Sequence, residues 1–173
     1  MEFLHDLART YPLMRGGAIL FILVGLGIII GGFGRRRWML GWLIGGAVAA
    51  VLAMAGLSIT KVIFAGLGSP SPLHWIIMGI GFAVEFCLVN YVVFTIKDHD
   101  SREFWLWMLV VVGAHFLVFT FSHGPFAGAL GLICIANALI GLRLKRVDFH
   151  AFWIVDGFLK LAVGCAMLAA TLV

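Results

Sequence analysis

The stretch FHAFWIVDGFLKLAVGCAMLAATLV, residues 149–173, decides the kind of fold that this chain forms. Its 25 residues include only two side chains charged at neutral pH, Asp156 and Lys160. An α-helix needs about 20 apolar residues to cross a bilayer core roughly 30 Å thick. The stretch therefore predicts a membrane-spanning helix, and it raises the question of what an acid and a base four residues apart do inside it.

The rest of the chain has the same apolar character. Of its 173 residues, 63% are hydrophobic and 12% are charged, and the mean hydropathy is +1.13. A soluble domain is about half apolar and a quarter charged. The composition predicts a polytopic membrane protein that forms one helical domain over residues 1–173.

Turn signals and charged loops divide the chain into six apolar runs. The clearest breaks are the GSPSP turn at 68–72 and the HGP turn at 123–125. Residues 1–15 mix apolar and charged side chains, which is typical of a helix lying in the membrane interface. We therefore predict an all-α bundle of six transmembrane helices, with spans at about 16–33, 38–62, 73–96, 104–122, 126–142 and 149–173.

The basic residues indicate how these spans are oriented. Eight of the twelve Lys and Arg residues lie in the loops that follow the first, third and fifth spans, and the two opposite loops contain none. Loops rich in Lys and Arg stay in the cytoplasm. We therefore expect a multi-pass protein of the cell membrane with cytoplasmic basic loops and with both termini outside.

Polar side chains inside the spans form layers at different depths, counted at about 1.5 Å per helical residue. Ionisable residues at membrane depth cost roughly 2.5–3.5 kcal/mol on insertion scales, and they usually face a bundle interior or a wet cavity. The candidate ligand or ion pathway consists of the central and inner layers, with a histidine below the outer surface: Glu85, Asn90, His115, Asn137, Asp156 and Lys160. An outer rim is formed by Lys61, His74 and His123.

Two interpretations of the charges in the last span remain open. Asp156 and Lys160 share a helix face at i, i+4, a spacing that permits an ion pair. The pair is either structural, holding the third, fifth and sixth spans together, or part of a functional cavity. The cavity interpretation leads to transport or binding of a small molecule or ion, and the alternative is a protein that binds a lipid or another apolar ligand.

The last span also resembles a known cofactor helix. Its Asp-x-x-x-Lys pattern at Asp156 and Lys160 is similar to the retinal-attachment helix of microbial rhodopsins, where a lysine forms the Schiff base. The resemblance implies a retinal-binding alternative that uses Lys160, with Glu85 in the place of a counterion. Six spans instead of seven, and a fifth span almost without aromatic residues, depart from that family. The sequence identifies no other cofactor.

No motif in the sequence indicates an enzyme, a metal site or a nucleic-acid interface. HExxH, GxSxG and phosphate-binding glycine loops do not occur. The three cysteines lie inside spans without the C-x-x-C spacing of a zinc site. The net charge of +4 is explained by the basic loops, which favour membrane lipids as partners and not nucleic acid.

Glycines at four-residue spacing indicate close helix packing, because small residues let backbones approach in lipid. They serve either the packing of one bundle or a seam between two copies, so a homo-oligomer is an expected partner. The pairs are Gly27 with Gly31, Gly41 with Gly45, and Gly124 with Gly128.

One further stretch carries a family resemblance. Residues 111–125, VVGAHFLVFTFSHGP, resemble the VGxHF segment of small uncharacterised bacterial six-span membrane proteins, although Val118 stands where proline is common in them. The resemblance implies a bacterial inner-membrane protein, and it implies no activity.

Overall fold

The computed structural model describes residues 2–34, 36–56 and 62–172, apart from the side chains of Glu2, His5, Arg36 and Arg37. In these residues the chain forms seven helices and no strand. They are α1 (Glu2–Thr10), α2 (Met14–Gly32), α3 (Arg36–Gly56), α4 (Pro72–Thr95), α5 (Arg102–His123), α6 (Pro125–Arg143) and α7 (Phe149–Ala170). Helices α2 to α7 each contain a segment long and apolar enough to cross a membrane. This confirms the predicted all-α bundle of six membrane-spanning helices.

Helix α3 corresponds to the predicted second span, and α1 corresponds to the predicted interfacial helix. The span was expected to reach about residue 62, whereas α3 is described to Gly56. Residues 57–61 lie outside the described residues, and the predicted rim residue Lys61 lies there too. Helix α1 is present, and its Ala8 belongs to an apolar cluster with Met14 and Ala170. Its position in the membrane interface stays a prediction.

Four helices form the centre of the bundle and two lie at its flanks. Helix α2 packs most extensively against α7, and α5 packs most extensively against α6, while α7 also contacts α5 and α6. Helix α3 packs on α2 and α4 packs on α5. Because these two flanking helices do not pack extensively against each other, a gap remains between them.

Glycines set the closest crossings of the central helices. A Cβ atom placed on Gly25 of α2 would lie 2.8 Å from the carbonyl oxygen of Gly157 in α7, and one placed on Gly157 would lie 2.9 Å from that of Gly25. Gly113 of α5 and Gly131 of α6 have the same reciprocal relation, at 2.9 and 2.6 Å. Such contact between backbones is how helices associate where lipid removes the hydrophobic driving force.

The predicted glycine pairs serve different surfaces. Gly27 and Gly31 of α2 lie against the backbone of α3, and Gly128 lies inside the bundle against α5. Gly41 and Gly45 of α3 are exposed and have no atom within 4 Å of an added Cβ. The association of two copies through this outward face of α3 stays a prediction.

Arg102, at the start of α5, joins α5 to the end of α6. Its guanidinium donates hydrogen bonds to the carbonyl oxygens of Gly141 at 2.6 Å and Leu144 at 3.0 Å, and to that of Val147. The last carbonyls of a helix lack partners within the helix and carry partial negative charge, so a cation stabilises them. From the sequence alone, Arg102 was predicted only to be one of the basic residues of a loop. We call this end of the bundle, with its three basic loops, the basic end.

Arg15, near the start of α2, has the equivalent position at the opposite end. It donates to the hydroxyl of Thr171 at 3.2 Å and to the carbonyl of Thr171 at 2.5 Å. It also donates to the carbonyl oxygens of Val62 at 2.8 Å and Ala65 at 3.0 Å. Arg15 thereby joins α2, the end of α7 and the segment after α3 at what we call the terminal end.

Replacing Arg102 with glutamine is expected to lower the free energy of unfolding by about 2 kcal/mol, because hydrogen bonds to a charged group contribute about 1.5–3 kcal/mol. The thermal unfolding midpoint of the purified protein in nanodiscs measures this loss. Arg146→Gln is the matched control, because Arg146 is an exposed arginine at the same end. Equal midpoints for the two variants would show that the carbonyl contacts contribute nothing.

Side-chain caps fix the starts of the two helices that carry most of the polar residues described below. The hydroxyl of Ser101 accepts a hydrogen bond from the backbone N–H of Phe104 in α5. The carboxylate of Asp148 accepts one from the backbone N–H of His150 in α7 and lies 2.8 Å from the His150 ring nitrogen. These hydrogen bonds lower the pKa of Asp148, and the bond from the backbone N–H of His150 has the largest effect. The cap therefore stabilises α7 at neutral pH, and it is lost as pH falls through the lowered pKa.

Candidate functional site

A cavity of about 270 Å³ lies in the gap between α3 and α4. We call it the central cleft. Its lining includes Val24 of α2, Ala47 of α3, Glu85 of α4, His115 of α5 and Lys160 of α7. The walls are almost entirely apolar, and the few polar groups lie on α4, α5 and α7. An apolar cleft with a few convergent polar groups is the usual form of a small-molecule site.

Four of the predicted pathway residues line the central cleft together: Glu85, His115, Asp156 and Lys160. They come from three helices, α4, α5 and α7. Their predicted depths lie within one or two helical turns of the middle of the bilayer. The packing of α4, α5 and α7 brings all four side chains to the same cavity.

The two predicted asparagines have other partners. The Asn90 amide donates to the carbonyl oxygen of Phe86, 2.7 Å away on its own helix. The Asn137 amide donates to the carbonyl oxygen of Phe152 at 2.8 Å, which joins α6 to α7. Neither asparagine is among the described residues that line the central cleft.

Asp156 and Lys160 form an enclosed ion pair. Asp156 is 0% exposed and Lys160 is 1% exposed. The Lys160 ammonium donates to Oδ2 of Asp156, lies 3.9 Å from Sγ of Cys134 in α6 and sits 5.4 Å from the ring centroid of Phe116 in α5. Each charge therefore neutralises the other where the helices α5, α6 and α7 meet.

Glu85 is the charged group most open to the cleft. Its side chain is 29% exposed, and Oε1 lies 3.6 Å from Nδ1 of His115, whose side chain is 6% exposed. That distance is too long for a hydrogen bond but close enough for an electrostatic interaction. The His115 ring packs against the rings of Phe116 and Phe119 at 4.3 and 4.9 Å between centroids. Glu85 is thus left without a full counterion in the described residues.

Four buried polar atoms at the central cleft have no hydrogen-bond partner among the described residues. They are Nε1 of Trp105, Nδ1 of His115, Nε1 of Trp153 and Oδ1 of Asp156. All four residues line the cleft. Buried polar groups in proteins nearly always have a partner, so each such exception needs an explanation. Here the arrangement provides two indole donors, one carboxylate acceptor and one imidazole nitrogen.

The two tryptophans are site residues that the sequence did not identify. Their rings meet edge to face at 5.4 Å near the basic end. Trp153 precedes Asp156 by three residues, so the two side chains share one face of α7. That spacing was the available signal, whereas nothing in the sequence pointed to Trp105.

The predicted rim histidines lie at helix ends and not in the central cleft. Nδ1 of His74 accepts from the backbone N–H of Ser71 at 3.1 Å, which caps the start of α4. Nδ1 of His123 lies 2.8 Å from the Ser122 hydroxyl. The Phe119 ring lies between His115 and His123, and it stacks on the His123 ring at 5.0 Å. An apolar side chain therefore separates His123 from the cleft.

The described residues provide no obvious metal site. No group of three or more His, Cys, Asp or Glu side chains among them is placed to hold a metal ion. Cys87, Cys134 and Cys165 are free thiols, and of these only Cys134 is buried.

Comparison with known proteins identifies a family but no characterised relative. No curated protein and no solved structure matches the chain. The resemblance to proteins with a VGxHF segment stays a prediction. One family model matches residues 6–172, which is nearly the whole chain. The chain therefore belongs to DUF6609, a family of unknown function.

Proposed function

We propose that this multi-pass membrane protein binds an amphiphile from the bilayer in the central cleft. The polar head of the amphiphile lies against Glu85 and Asp156, and its tail leaves between α3 and α4. One observation carries the proposal: four buried polar atoms without a partner in the described residues belong to side chains that line an apolar cleft between two helices.

The polar groups suit a head that forms hydrogen bonds. The indole N–H groups of Trp105 and Trp153 donate, and Oδ1 of Asp156 accepts. A buried polar group without a partner costs about 1–3 kcal/mol. A ligand that satisfies these groups recovers that energy, which favours its binding over that of a plain hydrocarbon chain.

The size of the cleft supports an amphiphile over a compact soluble ligand. Small-molecule sites usually enclose about 300–1,000 Å³ and bury most of the ligand. A cavity of about 270 Å³ holds a head and the first part of a chain. The remainder of the chain then lies between the apolar side chains of α3 and α4, in contact with lipid.

Filling the cleft is expected to weaken amphiphile binding. Ala47 of α3 lines the cleft, and Ala47→Phe places a ring in the space of the ligand. We expect the dissociation constant of a brominated dodecanol to rise about tenfold or more, equivalent to about 1.4 kcal/mol. Binding is read from quenching of Trp105 and Trp153 emission in nanodiscs. The measurements use a reporter background, a variant in which phenylalanine replaces the four exposed tryptophans: Trp38, Trp42, Trp75 and Trp107.

The matched control is Ala49→Phe, on the exposed face of the same helix. This variant adds the same ring outside the cleft, so its dissociation constant is expected to equal that of the parent. Equal quenching in the Ala47→Phe and Ala49→Phe variants would place the amphiphile outside the cleft and refute the proposal.

Transport of an ion or small molecule is the second candidate function. It is favoured by Glu85 and His115, two titratable groups 3.6 Å apart of which the first is open to the cleft. The position of Phe119, between His115 and the terminal end, means that transport requires this ring to move. The retinal-binding alternative also stays a prediction. The hydrogen bond from Lys160 Nζ to Asp156 disfavours it, because a Schiff base would need this nitrogen.

We also propose that the protein resides in the cell membrane with its basic end in the cytoplasm and both termini outside. The excess of Lys and Arg in three alternate loops supports this orientation. Trp105 and Trp153 then lie near the cytoplasmic side of the cleft. The basic loops are expected to contact anionic lipid headgroups there.

A further inference from the structure

We infer that the polar head of the amphiphile is cationic, a primary ammonium group that donates hydrogen bonds, and that Glu85 is its counterion. The inference rests on the proposed function and adds the chemical class of the ligand to it.

The charges that line the central cleft do not cancel. Among the described residues, the charged side chains in its lining are Glu85, Asp156 and Lys160. Lys160 is already paired with Asp156, so the lining carries one excess negative charge, at Glu85, when Glu85 is ionised and His115 is neutral. A charge at membrane depth is costly unless an opposite charge accompanies it. A cationic head in the cleft supplies that charge.

The surroundings of Glu85 also suit an organic cation. Phe82 precedes Glu85 by three residues on the same face of α4, and its ring meets that of Phe119 edge to face at 5.4 Å. Both rings line the cleft. The faces of aromatic rings attract ammonium groups, most strongly when the groups are shielded from water. The bundle already uses this interaction, since the Lys160 ammonium lies 5.4 Å from the Phe116 centroid.

An anionic head is disfavoured by the same groups. A carboxylate or sulfate in the cleft would face Glu85 and the free Oδ1 of Asp156. The cation nearest to it, Lys160, is 1% exposed and already engaged by Oδ2 of Asp156. A neutral head keeps the hydrogen bonds but leaves Glu85 uncompensated. The expected order of affinity is therefore cation, then neutral head, then anion.

Three probes with the same brominated dodecyl chain test this order, with primary ammonium, hydroxyl and sulfate heads. They are titrated into the reporter background in zwitterionic nanodiscs, and each affinity is corrected for partitioning into nanodiscs without protein. We expect the primary ammonium probe to bind about tenfold or more tightly than the alcohol. The sulfate probe is expected to give no quenching beyond its partitioning.

Glu85→Gln is expected to bring the cation and the alcohol to similar affinities, while Glu85→Asp keeps most of the preference. Glu103→Gln removes the same charge from an exposed position on α5 and is expected to change nothing. Thermal unfolding midpoints verify that each variant is folded. Were Glu85→Gln to unfold, the order of the three probes in the parent and in Glu85→Asp would still decide the question.

The outcomes separate the inference from the proposed function. Equal affinities for the three probes, or a cation preference that survives in Glu85→Gln, would overturn the inference. The proposed function would still stand if Ala47→Phe abolished quenching by the alcohol. Absence of quenching by every probe would overturn both.

Discussion

Lys160→Met is expected to lower the free energy of unfolding by about 3–5 kcal/mol, the usual effect of removing one partner from a buried ion pair. Asp156 is 0% exposed, so the substitution leaves a buried carboxylate without a counterion. The methionine side chain still fills the space between Cys134 and Phe116, which confines the change to the charge. The readouts are the thermal unfolding midpoint and the monodisperse fraction after extraction in detergent.

The double variant Lys160→Met/Asp156→Leu is expected to recover most of this stability. Replacing both members of a buried ion pair with apolar residues of similar volume is often neutral or stabilising, because neither charge remains to be desolvated. A loss equal to the sum of the two single losses would contradict this account. Amphiphile binding in the folded double variant then separates a purely structural pair from one that also contacts the ligand.

Gly25→Val is the second substitution with a large expected effect, a loss of about 3 kcal/mol. Its Cβ would lie 2.8 Å from both the carbonyl oxygen of Gly157 and the amide nitrogen of Leu161. These are backbone atoms, so α2 and α7 must separate to admit the side chain. The measurement is again the thermal unfolding midpoint, together with the yield of folded protein.

Gly45→Val is the matched control, because the same side chain at that position of α3 meets no atom within 4 Å. We expect its stability to stay within about 0.5 kcal/mol of the parent, as for surface substitutions generally. A similar loss in both variants would refute the role given to the α2–α7 crossing. The oligomeric state of Gly45→Val also tests the predicted association through the outward face of α3.

The number of membrane-spanning helices could be predicted from the sequence, whereas the pairs of helices that pack against each other could not. Apolar run length and turn residues are local features, and they identified six helices. Which helices form the centre depends on which face of each one meets protein. In a bilayer, both lipid-facing and protein-facing side chains are apolar, so the flanking helices α3 and α4 look much like the central ones. Backbone contacts such as that of Gly25 with Gly157 leave no distinctive pattern in either helix alone.

The candidate site was predicted in part, because depth can be counted along a helix but rotation about its axis needs a known partner. Counting placed Glu85 and Lys160 at one level, and both line the central cleft. Asn90 follows Glu85 by five residues and is turned by about 140° from it. Its side chain therefore bonds its own helix. Trp105 carries no distinctive sequence signal, because tryptophans near span ends usually serve as interfacial anchors.

The pairing of α2 with α7 has a consequence for biosynthesis. Arg15 and Thr171 are 156 residues apart, and the most extensive helix contact joins the first span to the last. During translation, the glycine face of α2 therefore contacts lipid or the insertion machinery until α7 emerges. By contrast, α5 and α6 are joined through Gly124 alone and can pair as soon as both are inserted. Since α7 also brings Asp156 and Lys160, a nascent chain acquires its complete cleft only after α7 has been inserted.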